Sequence, residues 1–393
     1  MNLPAHEFLS ETFRRFFGSE KAGGILLIFC TLVSLLLANS PAGDGYRALW
    51  QVDVSGMSLE HWINDGLMAV FFLFIGLELE RELYNGELSN PRKALLPIVA
   101  AIGGVVVPAL IHFSLNAGSA TQRGIGIPMA TDIAFALGVL SLLGNRVPWS
   151  LKVFLAALAV MDDLAAIIVI ALFYSGKLSL GWLGAAVAVF VALVVLNRLR
   201  VMALLPYLAG GALMWFFMLK SGVHSTLAGV LLAFAIPFSA LRDDEASPSH
   251  RLEHLLHKPV AFMVLPLFAL ANTAIVIGAG WQLELATPNS VGIMVGLVLG
   301  KPLGILALSA VAVAAGVCQL PGDIRWSQVA GMGMIAGIGF TMSIFIANLA
   351  FPAQPQLIDS SKMAILLGSL VSAVLGFAWL QIACRRPAAP EGS

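Results

Sequence analysis

Charged residues are scarce in this chain of 393 residues. Asp, Glu, Lys and Arg make up 11% of it, whereas hydrophobic residues make up 59%. Ordinary globular proteins contain roughly 25% charged residues, which cover their surface in water. So few charges exclude a soluble globular protein of this length. The 22 basic and 22 acidic residues balance, which predicts no nucleic-acid partner.

Cysteine is also rare, and no secretory leader is expected. Cys30, Cys318 and Cys384 are widely spaced and match neither a disulfide framework nor a metal-ligand motif. We therefore expect them to be small buried residues. The first twenty residues carry several charges but no apolar run, unlike a cleavable signal peptide. The sequence predicts no cofactor.

Long apolar segments, in contrast, are abundant. A helix that crosses about 30 Å of hydrocarbon needs about 20 residues. The sequence predicts an all-α polytopic membrane protein, with a single transmembrane domain over residues 1–393 and about twelve transmembrane helices. These are predicted at 22–40, 59–83, 94–116, 121–143, 150–175, 180–197, 203–219, 223–238, 257–281, 290–316, 327–350 and 360–383.

The positions of Lys and Arg predict the orientation of these helices. With the N-terminus inside, sixteen of the 22 basic residues fall on the cytoplasmic side and five on the other. Cytoplasmic loops of membrane proteins are enriched in Lys and Arg. We therefore expect both termini in the cytoplasm.

The outer loop after the first predicted helix has a hairpin pattern. Trp50, Val52 and Val54 alternate with polar residues and are followed by Ser55-Gly56, which predicts a small periplasmic β-hairpin within residues 43–58. Two isolated strands are marginally stable in water. A second subunit could supply further pairing, so the hairpin is a candidate homodimer contact.

Four charged residues are predicted at the middle of membrane helices: Lys301, Asp132, Asp162 and Asp163. Each costs about 2.5–3.5 kcal/mol at mid-bilayer on insertion scales. A purely structural salt-bridge cluster is one explanation. It is disfavoured because apolar residues can often replace buried ion pairs without loss of stability. A functional site is the better interpretation.

The adjacent pair Asp162 and Asp163 favours exchange between cations and protons. Neighbouring residues on a helix point about 100° apart, so one aspartate can reach Lys301 while the other faces a cation path. Carboxylate oxygens can hold either a proton or a hard cation. Competition for the same oxygens is the simplest chemistry of exchange.

Two predicted helices have glycine or proline at their centres. Gly126 and Pro128 precede Asp132, and four glycines between 331 and 339 precede Thr341. Both segments read Thr-x-x-x-Phe from Thr131 and from Thr341. Their positions in the units 94–175 and 290–383 predict inverted repeats with two discontinuous, crossing helices. Asp132 and Lys301 are placed to offset the partial charges at the exposed helix ends.

These segments resemble the NhaA-type sodium/proton antiporters. The resemblance is carried by Ala130–Phe135, Met161–Leu164, Gly300–Pro302 and Gly337–Met342, and it extends over about residues 10–380. It implies that Asp163 is the principal cation carboxylate and that Asp162 is the partner of Lys301 and a proton carrier. It also implies that Thr131 lines the site. Na+, Li+ and H+ are then the transported ions, exchanged electrogenically across a bacterial cytoplasmic membrane.

The family also has a pH-sensing region at the cytoplasmic mouth. The resemblance assigns this role to Glu78, Arg81, Glu82, Glu253, His254 and His257. It also links His224 to the pH response, although His224 is predicted at an outer helix start and could simply be interfacial. Helical spacing makes Glu78 a neighbour of Arg81 and Glu82, and Glu253 a neighbour of His257. A solvated polar helix end is the simpler explanation from spacing alone. The histidines 250, 254 and 257 could also suggest a metal site, but they lack cysteines or a closed set of acids.

Other functional classes fit less well. An intramembrane aspartyl protease would need Tyr-Asp and Gly-x-Gly-Asp motifs, and neither occurs, so we predict a transporter and not an enzyme. A proton-coupled carrier of organic solutes would need aromatic or basic residues beside the acids. A cation channel would need a repeated pore loop or ring of carbonyls, and none is visible.

Overall fold

The computed structural model describes residues 5–86, 89, 91–176, 178–239 and 247–384, with side chains except those of 5–21, 91–93 and 145. The prediction that both chain termini are cytoplasmic concerns residues that lie outside these ranges. Within the described part the chain divides into two compact units. The first unit comprises residues 1–25, 92–162 and 280–393, and the second comprises 26–91 and 163–279.

The described chain is mainly helical. Its first half contains α1 (Ala5–Ala38), α2 (Gly43–Trp50), α3 (Leu59–His61), a π-helical segment (Trp62–Leu67), α4 (Met68–Tyr84), α5 (Pro91–Asn116), a 3-10 helix (Ala120–Met129), α6 (Ile133–Leu142), a 3-10 turn (Gly144–Arg146), α7 (Trp149–Phe173) and α8 (Leu180–Arg198). Its second half contains α9 (Leu204–Ser221), α10 (Leu227–Ala235), α11 (Pro248–Pro259), a π-helical segment (Val260–Val264), α12 (Leu265–Asn272), α13 (Trp281–Leu285), α14 (Pro288–Val295), a π-helical segment (Gly296–Gly300), α15 (Lys301–Ala314), α16 (Trp326–Ala336), α17 (Phe340–Ala350) and α18 (Pro355–Ala383).

Membrane-spanning helices dominate the described residues. Eight are long and apolar enough to cross a membrane, and three further pairs bent at a short break bring the number to at most eleven. The described residues therefore do not confirm the predicted count of twelve. The segment predicted at 223–238 contains only the nine-residue α10, which is too short to cross the hydrocarbon alone.

The helix predicted at 257–281 also begins earlier than expected. The continuous span is Pro248–Asn272. The Ser247 hydroxyl accepts a hydrogen bond from the backbone N–H of His250, and Pro248 occupies the first turn. A capping serine followed by proline is a strong helix start, which the apolar length criterion overlooked.

Both predicted breaks are present in the first unit. The 3-10 helix and α6 are bent by 44° about residues 130–132, and α16 and α17 are bent by 47° about residues 337–339. The backbone N–H of Asp132 donates to the carbonyl of Ile338 at 2.7 Å. The two breaks therefore contact each other directly.

The predicted hairpin is smaller than expected. Its strands, β1 (Asp53–Val54) and β2 (Met57–Ser58), pair antiparallel with Val54 opposite Met57. Ser55 and Gly56 both have positive φ, at 57° and 87°, as a two-residue type I′ turn requires. Residues 43–50, expected to belong to the hairpin, instead form α2.

Aromatic contacts explain why α2 is helical. The rings of Tyr46 and Trp50 lie 5.7 Å apart, and residues four apart on a helix are neighbours. The Tyr46 hydroxyl also donates to the carbonyl of Leu270 at 2.9 Å. The alternation of apolar and polar residues from Trp50 onward suggested a strand. That pattern contains no information about the contacts that Tyr46 makes.

Glycines let helices α5 and α15 approach closely in the first unit. A Cβ atom at Gly103 would lie 2.1 Å from the carbonyl oxygen of Gly304, and one at Gly304 would lie 2.0 Å from that of Gly103. Only glycine fits where two backbones come this close. Lys301 lies one turn before this contact, so the packing positions the membrane lysine.

Candidate functional site

Asp132 joins the ends of the two broken helices. It is the N-cap residue of α6, where its Oδ1 accepts from the backbone N–H of Phe135 at 2.9 Å. Its Oδ2 accepts from the backbone N–H of Thr341 at 3.1 Å and from the Thr341 hydroxyl at 2.6 Å. Asp132 is 2% exposed. One carboxylate therefore faces the positive N-terminal ends of both α6 and α17.

Lys301 contacts the opposite kind of helix end. Its Nζ donates to the carbonyl of Met129, the last residue of the 3-10 helix. The same Nζ lies 2.9 Å from Oδ2 of Asp162, and both side chains are fully buried. A positive charge thus meets a C-terminal carbonyl and a carboxylate in one place.

Thr131 and Asp162 complete this cluster. The Thr131 hydroxyl lies 2.6 Å from Oδ2 of Asp162 and 2.9 Å from the carbonyl of Ala336, the last residue of α16. No described residue hydrogen-bonds the other Asp162 oxygen, Oδ1, which is also buried. Asp162 therefore has one oxygen held by two neighbours and a second that is available to a ligand.

Asp163 is the next residue of α7 and is 1% exposed. It begins the segment of α7 that belongs to the second unit, whereas Asp162 ends the segment of the first. Adjacent helical residues point about 100° apart, so the two carboxylates face different directions. Helical spacing left open which aspartate pairs with Lys301, the resemblance implied Asp162, and in the structure Lys301 lies beside Asp162.

A family profile described as Na+/H+ antiporter 1 matches residues 14–380. The chain belongs to this family. It is 70% identical to the Na(+)/H(+) antiporter NhaA of Dechloromonas aromatica (strain RCB) over 373 residues, which are 95% of this chain and 96% of that protein. It is 56% identical to the Na(+)/H(+) antiporter NhaA 1 of Flavobacterium johnsoniae over 95% of this chain and 97% of that protein. It is 55% identical to the Na(+)/H(+) antiporter NhaA of Cytophaga hutchinsonii over 98% of both chains.

Family membership and the apolar helices agree. The protein is a multi-pass membrane protein of the Na+/H+ antiporter 1 family, and the family is one of transporters, not enzymes. The resemblance seen in the sequence motifs is confirmed. Na+ and H+ are the ions that this family exchanges.

Four of the residues that the resemblance assigned to pH sensing lie together in the second unit. Arg81 on α4 lies 2.8 Å from Glu253 on α11, 2.9 Å from Glu82 and 3.8 Å from Glu78. One guanidinium thus holds three carboxylates and links two helices. Arg81 is 28% exposed and the three acids less so, which makes their interactions stronger than those of exposed ion pairs.

The histidines of the predicted set are arranged differently. His257 packs against Phe74, with ring centroids 5.8 Å apart, and His254 is exposed on the same helix. His224 precedes α10, and its Nε2 lies 2.6 Å from the carbonyl of Tyr174. Gly229 of α10 packs near Ala69 at the start of α4. His224 is therefore at the end of this helix pair that is remote from Arg81.

Sequence reasoning missed Glu80. This residue of α4 is 6% exposed, and its Oε2 accepts from the Ser249 hydroxyl at 3.1 Å in the first turn of α11. This contact links α4 to the first turn of α11 through a buried carboxylate. Glu80 lies between the predicted residues Glu78 and Glu82, but residues two apart on a helix do not face each other. Helical spacing therefore gave no reason to select it.

Proposed function

We propose that this protein is an electrogenic Na+(Li+)/H+ antiporter that exports sodium in exchange for protons and serves sodium and pH homeostasis. One observation carries the proposal. Two adjacent carboxylates, Asp162 and Asp163, are buried in the middle of a membrane helix, and Oδ1 of Asp162 receives no hydrogen bond from any described residue. A carboxylate held in this way can accept a proton or a cation, and burial makes either ligand preferable to a bare charge.

In this proposal Asp163 is the principal cation ligand and Asp162 is its partner. Na+ or Li+ binds the carboxylate oxygens, and the protons that occupied them leave. When the cation leaves on the other side, protons return to the same oxygens. Because both ligands compete for one site, the two transport directions are coupled without a separate gate for each ion.

In this proposal two protons exchange for one sodium ion, which makes the exchange electrogenic. Asp163 supplies one proton carrier. The second proton carrier is Asp162 or Lys301, which form an ion pair at 2.9 Å. Loss of a proton from either group would rearrange this ion pair. Both alternatives move one net charge in each cycle.

The residues around the two breaks support the site. Asp132 offsets the N-terminal ends of α6 and α17, Lys301 offsets the C-terminal end of the 3-10 helix, and Thr131 and Thr341 hold the aspartates Asp162 and Asp132. Such half-helix ends carry about half a charge each. Compensation lets them lie within the membrane beside a transported cation. This pattern is typical of inverted repeats, which we propose for residues 94–175 and 290–383.

The second unit supplies pH control in this proposal. Protonation of Glu78, Glu82 or Glu253 weakens the contacts of Arg81 that join α4 to α11. His254 and His257 lie on α11, and His224 lies near the other end of α4. We propose that these groups set the pH at which cations reach Asp163.

The location of the protein follows from the same family. We propose a bacterial cytoplasmic membrane, with both termini in the cytoplasm and the hairpin in the periplasm. The side chains of Val52 and Val54 are 50% and 45% exposed at the hairpin. Exposed apolar residues on a two-stranded edge suit pairing with a second copy, which supports a homodimer formed through the hairpin.

Sodium-driven proton movement in sealed everted vesicles tests the proposal. Asp163→Asn keeps the shape of the side chain but removes its charge, so the sodium-dependent change of a pH-sensitive dye should disappear. Asp162→Asn should abolish it or reduce it severely. Asp44→Asn makes the same chemical change where the side chain is 97% exposed, and it should behave like the wild type. Wild-type sodium response from Asp163→Asn vesicles would show that the assignment is wrong.

A further inference from the structure

The first unit contains a second group of buried polar side chains, about eight residues further along α5 from Gly104, which faces Lys301. We call it the His112 cluster: His112, Asn116, Thr121, Asn289 and Ser361. His112, Asn116, Asn289 and Ser361 are each no more than 1% exposed. His112 is fully buried in a predicted membrane helix, and the exchange of ions at the aspartates does not use it.

The hydrogen bonds of this cluster fix the tautomer of His112. The Ser361 hydroxyl donates to the carbonyl of Leu357 at 2.6 Å, so it accepts from Nδ2 of Asn289 at 2.8 Å. The other amide atom of Asn289, Oδ1, then accepts from Nε2 of His112 at 3.1 Å. A neutral imidazole with its proton on Nε2 has a bare acceptor at Nδ1. No described residue donates to that Nδ1.

Two glycines enclose the imidazole ring. A Cβ atom at Gly124 of the 3-10 helix would lie 3.0 Å from Cε1 of His112, and one at Gly292 of α14 would lie 3.0 Å from its Cδ2. The ring therefore lies beside two elements at once, at positions where glycine leaves it room. A second proton on His112 would need an acceptor for Nδ1, and finding one requires the 3-10 helix or α14 to shift.

These two elements both lead to the ion-exchange cluster. The 3-10 helix ends at Met129, whose carbonyl accepts from Lys301. Helix α14 continues through a π-helical segment into α15, which begins at Lys301. A displacement at His112 would thus act on both partners of the Lys301–Met129 contact through continuous backbone, a physical connection between the two places.

A cavity gives this cluster access to solvent. It has a volume of about 710 Å³ and is lined by Thr121, Glu284, Asn289, Leu357 and Ser360, among others. Thr121, Asn289 and Leu357, the acceptor of the Ser361 hydroxyl, belong to or contact the His112 cluster, so the cavity reaches the residues that hold the ring. In the orientation proposed above, the cavity opens on the outer face.

We propose that His112 is a proton-binding site of the outer face, separate from the aspartate pair, whose protonation shifts the 3-10 helix and slows ion exchange. The elements around the ring carry few charges. Arg123 belongs to the 3-10 helix, Asp359 and Lys362 to α18, and Glu284 to the cavity wall, while α14 carries no charged residue. The proposal rests on the proposed exchange of sodium for protons at the aspartates, whose rate His112 alters without binding the transported sodium.

Two substitutions with opposite effects test the proposal. His112→Gln retains a donor for Asn289 but cannot take up the second proton, so activity should persist at lower pH than in the wild type. Asn289→Asp sets a carboxylate beside the ring and holds the proton more tightly, so activity should fall at higher pH. We expect shifts of about one pH unit, the equivalent of a tenfold change in proton binding. His61→Gln, which changes a half-exposed histidine of the second unit, is the matched control and should leave the profile unchanged.

The rate to measure is tracer sodium exchange in proteoliposomes at equal sodium and equal pH on both sides, where no gradient drives transport. Nitrogen chemical shifts of labelled histidines in the full-length protein give a second readout. The His112 signal, identified by its loss in His112→Gln, should report the Nε2–H tautomer at neutral pH and take up a proton over the pH range in which exchange falls.

The two readouts separate the possible failures. If neither variant moves the acid limb of exchange, or if the His112 signal stays neutral while exchange falls, the His112 proposal is overturned. If all proteins, including the wild type, fail to exchange sodium at any pH, the proposed function fails instead. A His112 signal that titrates together with the loss of exchange supports the proposal even where one variant folds poorly.

Discussion

Lys301 and Asp162 form an ion pair with both side chains fully buried, and Nζ lies 2.9 Å from Oδ2. Removing one partner of a buried pair leaves an uncompensated charge, which typically costs about 3–5 kcal/mol. The pair is held on both sides, by Thr131 on the aspartate and by the Met129 carbonyl on the lysine. It is therefore a structural contact as well as part of the proposed proton chemistry.

The first prediction separates these two roles. Lys301→Gln should lower thermal stability strongly, because Asp162 keeps its charge without a cation beside it. The double variant Lys301→Gln with Asp162→Asn should recover part of that stability but should not exchange ions. Thermal unfolding of purified protein, with vesicle transport measured in parallel, checks this. Full transport by the double variant would remove the pair from the mechanism.

The second prediction concerns the contact between the breaks. Thr341→Val removes the hydroxyl that donates to Asp132 at 2.6 Å but keeps the backbone donor at 3.1 Å. Hydrogen bonds to charged groups contribute about 1.5–3 kcal/mol, so stability should fall by about that amount and transport should slow. Thr341→Ser keeps the hydroxyl and should remain close to wild type. Equal losses from the two variants would mean that the methyl group, not the hydrogen bond, matters.

The third prediction concerns close helix packing. A Cβ atom at Gly304 would lie 2.0 Å from a backbone oxygen, which cannot move as a flexible side chain can. Gly304→Ala should therefore cost at least about 1–3 kcal/mol, the usual range for overpacking, and should displace Lys301. Gly184→Ala is the matched control, since a Cβ atom there meets nothing within 4 Å. The measurement is the yield of folded protein and its unfolding temperature.

The fourth prediction concerns pH control by the Arg81 contacts. Glu253→Gln mimics the protonated carboxyl and removes its charged contact with Arg81 at 2.8 Å, so the link between α4 and α11 is weakened at every pH. Fewer of the remaining contacts then have to be lost before cation access stops. The acid limb of transport should move to higher pH while the peak rate is retained. Loss of peak rate at an unchanged pH midpoint would instead assign Glu253 to the fold or to the transport path.

The fifth prediction concerns charge movement. If two protons exchange for one sodium ion, each cycle carries one net charge, which the membrane potential drives with about 2.3 kcal/mol per 100 mV. In sodium-loaded proteoliposomes an inside-negative potential should accelerate sodium efflux, and a potassium ionophore that collapses it should slow efflux. Efflux that is insensitive to the potential, with permeability controlled, would indicate one-for-one exchange.

Local sequence signals predicted several features well. Gly126 and Pro128 indicated a break before Asp132, and Ser55-Gly56 indicated the tight turn, because glycine and proline restrict the backbone where they stand. Apolar length was a weaker signal than glycine and proline. Length alone made residues 223–238 appear able to cross the membrane, whereas the helix there has nine residues. The capping contact of Ser247 moved the start of the next span.

The cluster around His112 had no sequence signal at all. His112, Asn289 and Ser361 are far apart in the chain and stand in different predicted helices, each as a single polar residue. Their hydrogen bonds join α5, α14 and α18. Such a network depends on how each helix is rotated about its axis, which apolar length does not report.

The sequence by itself determined that this is a many-pass membrane protein and that Asp132, Asp162, Asp163 and Lys301 are its costly buried charges. Both conclusions follow from single residues and their local environment, since the cost of a charge in hydrocarbon does not depend on its partner being known. Spacing along the chain did not decide the partners. The tertiary structure places Asp162 beside Lys301, as the family resemblance implied, and Thr341 beside Asp132 across 209 positions of the chain. Pairing depends on helix rotation and on close packing such as that of Gly103 with Gly304, and these arise only when the helices are assembled.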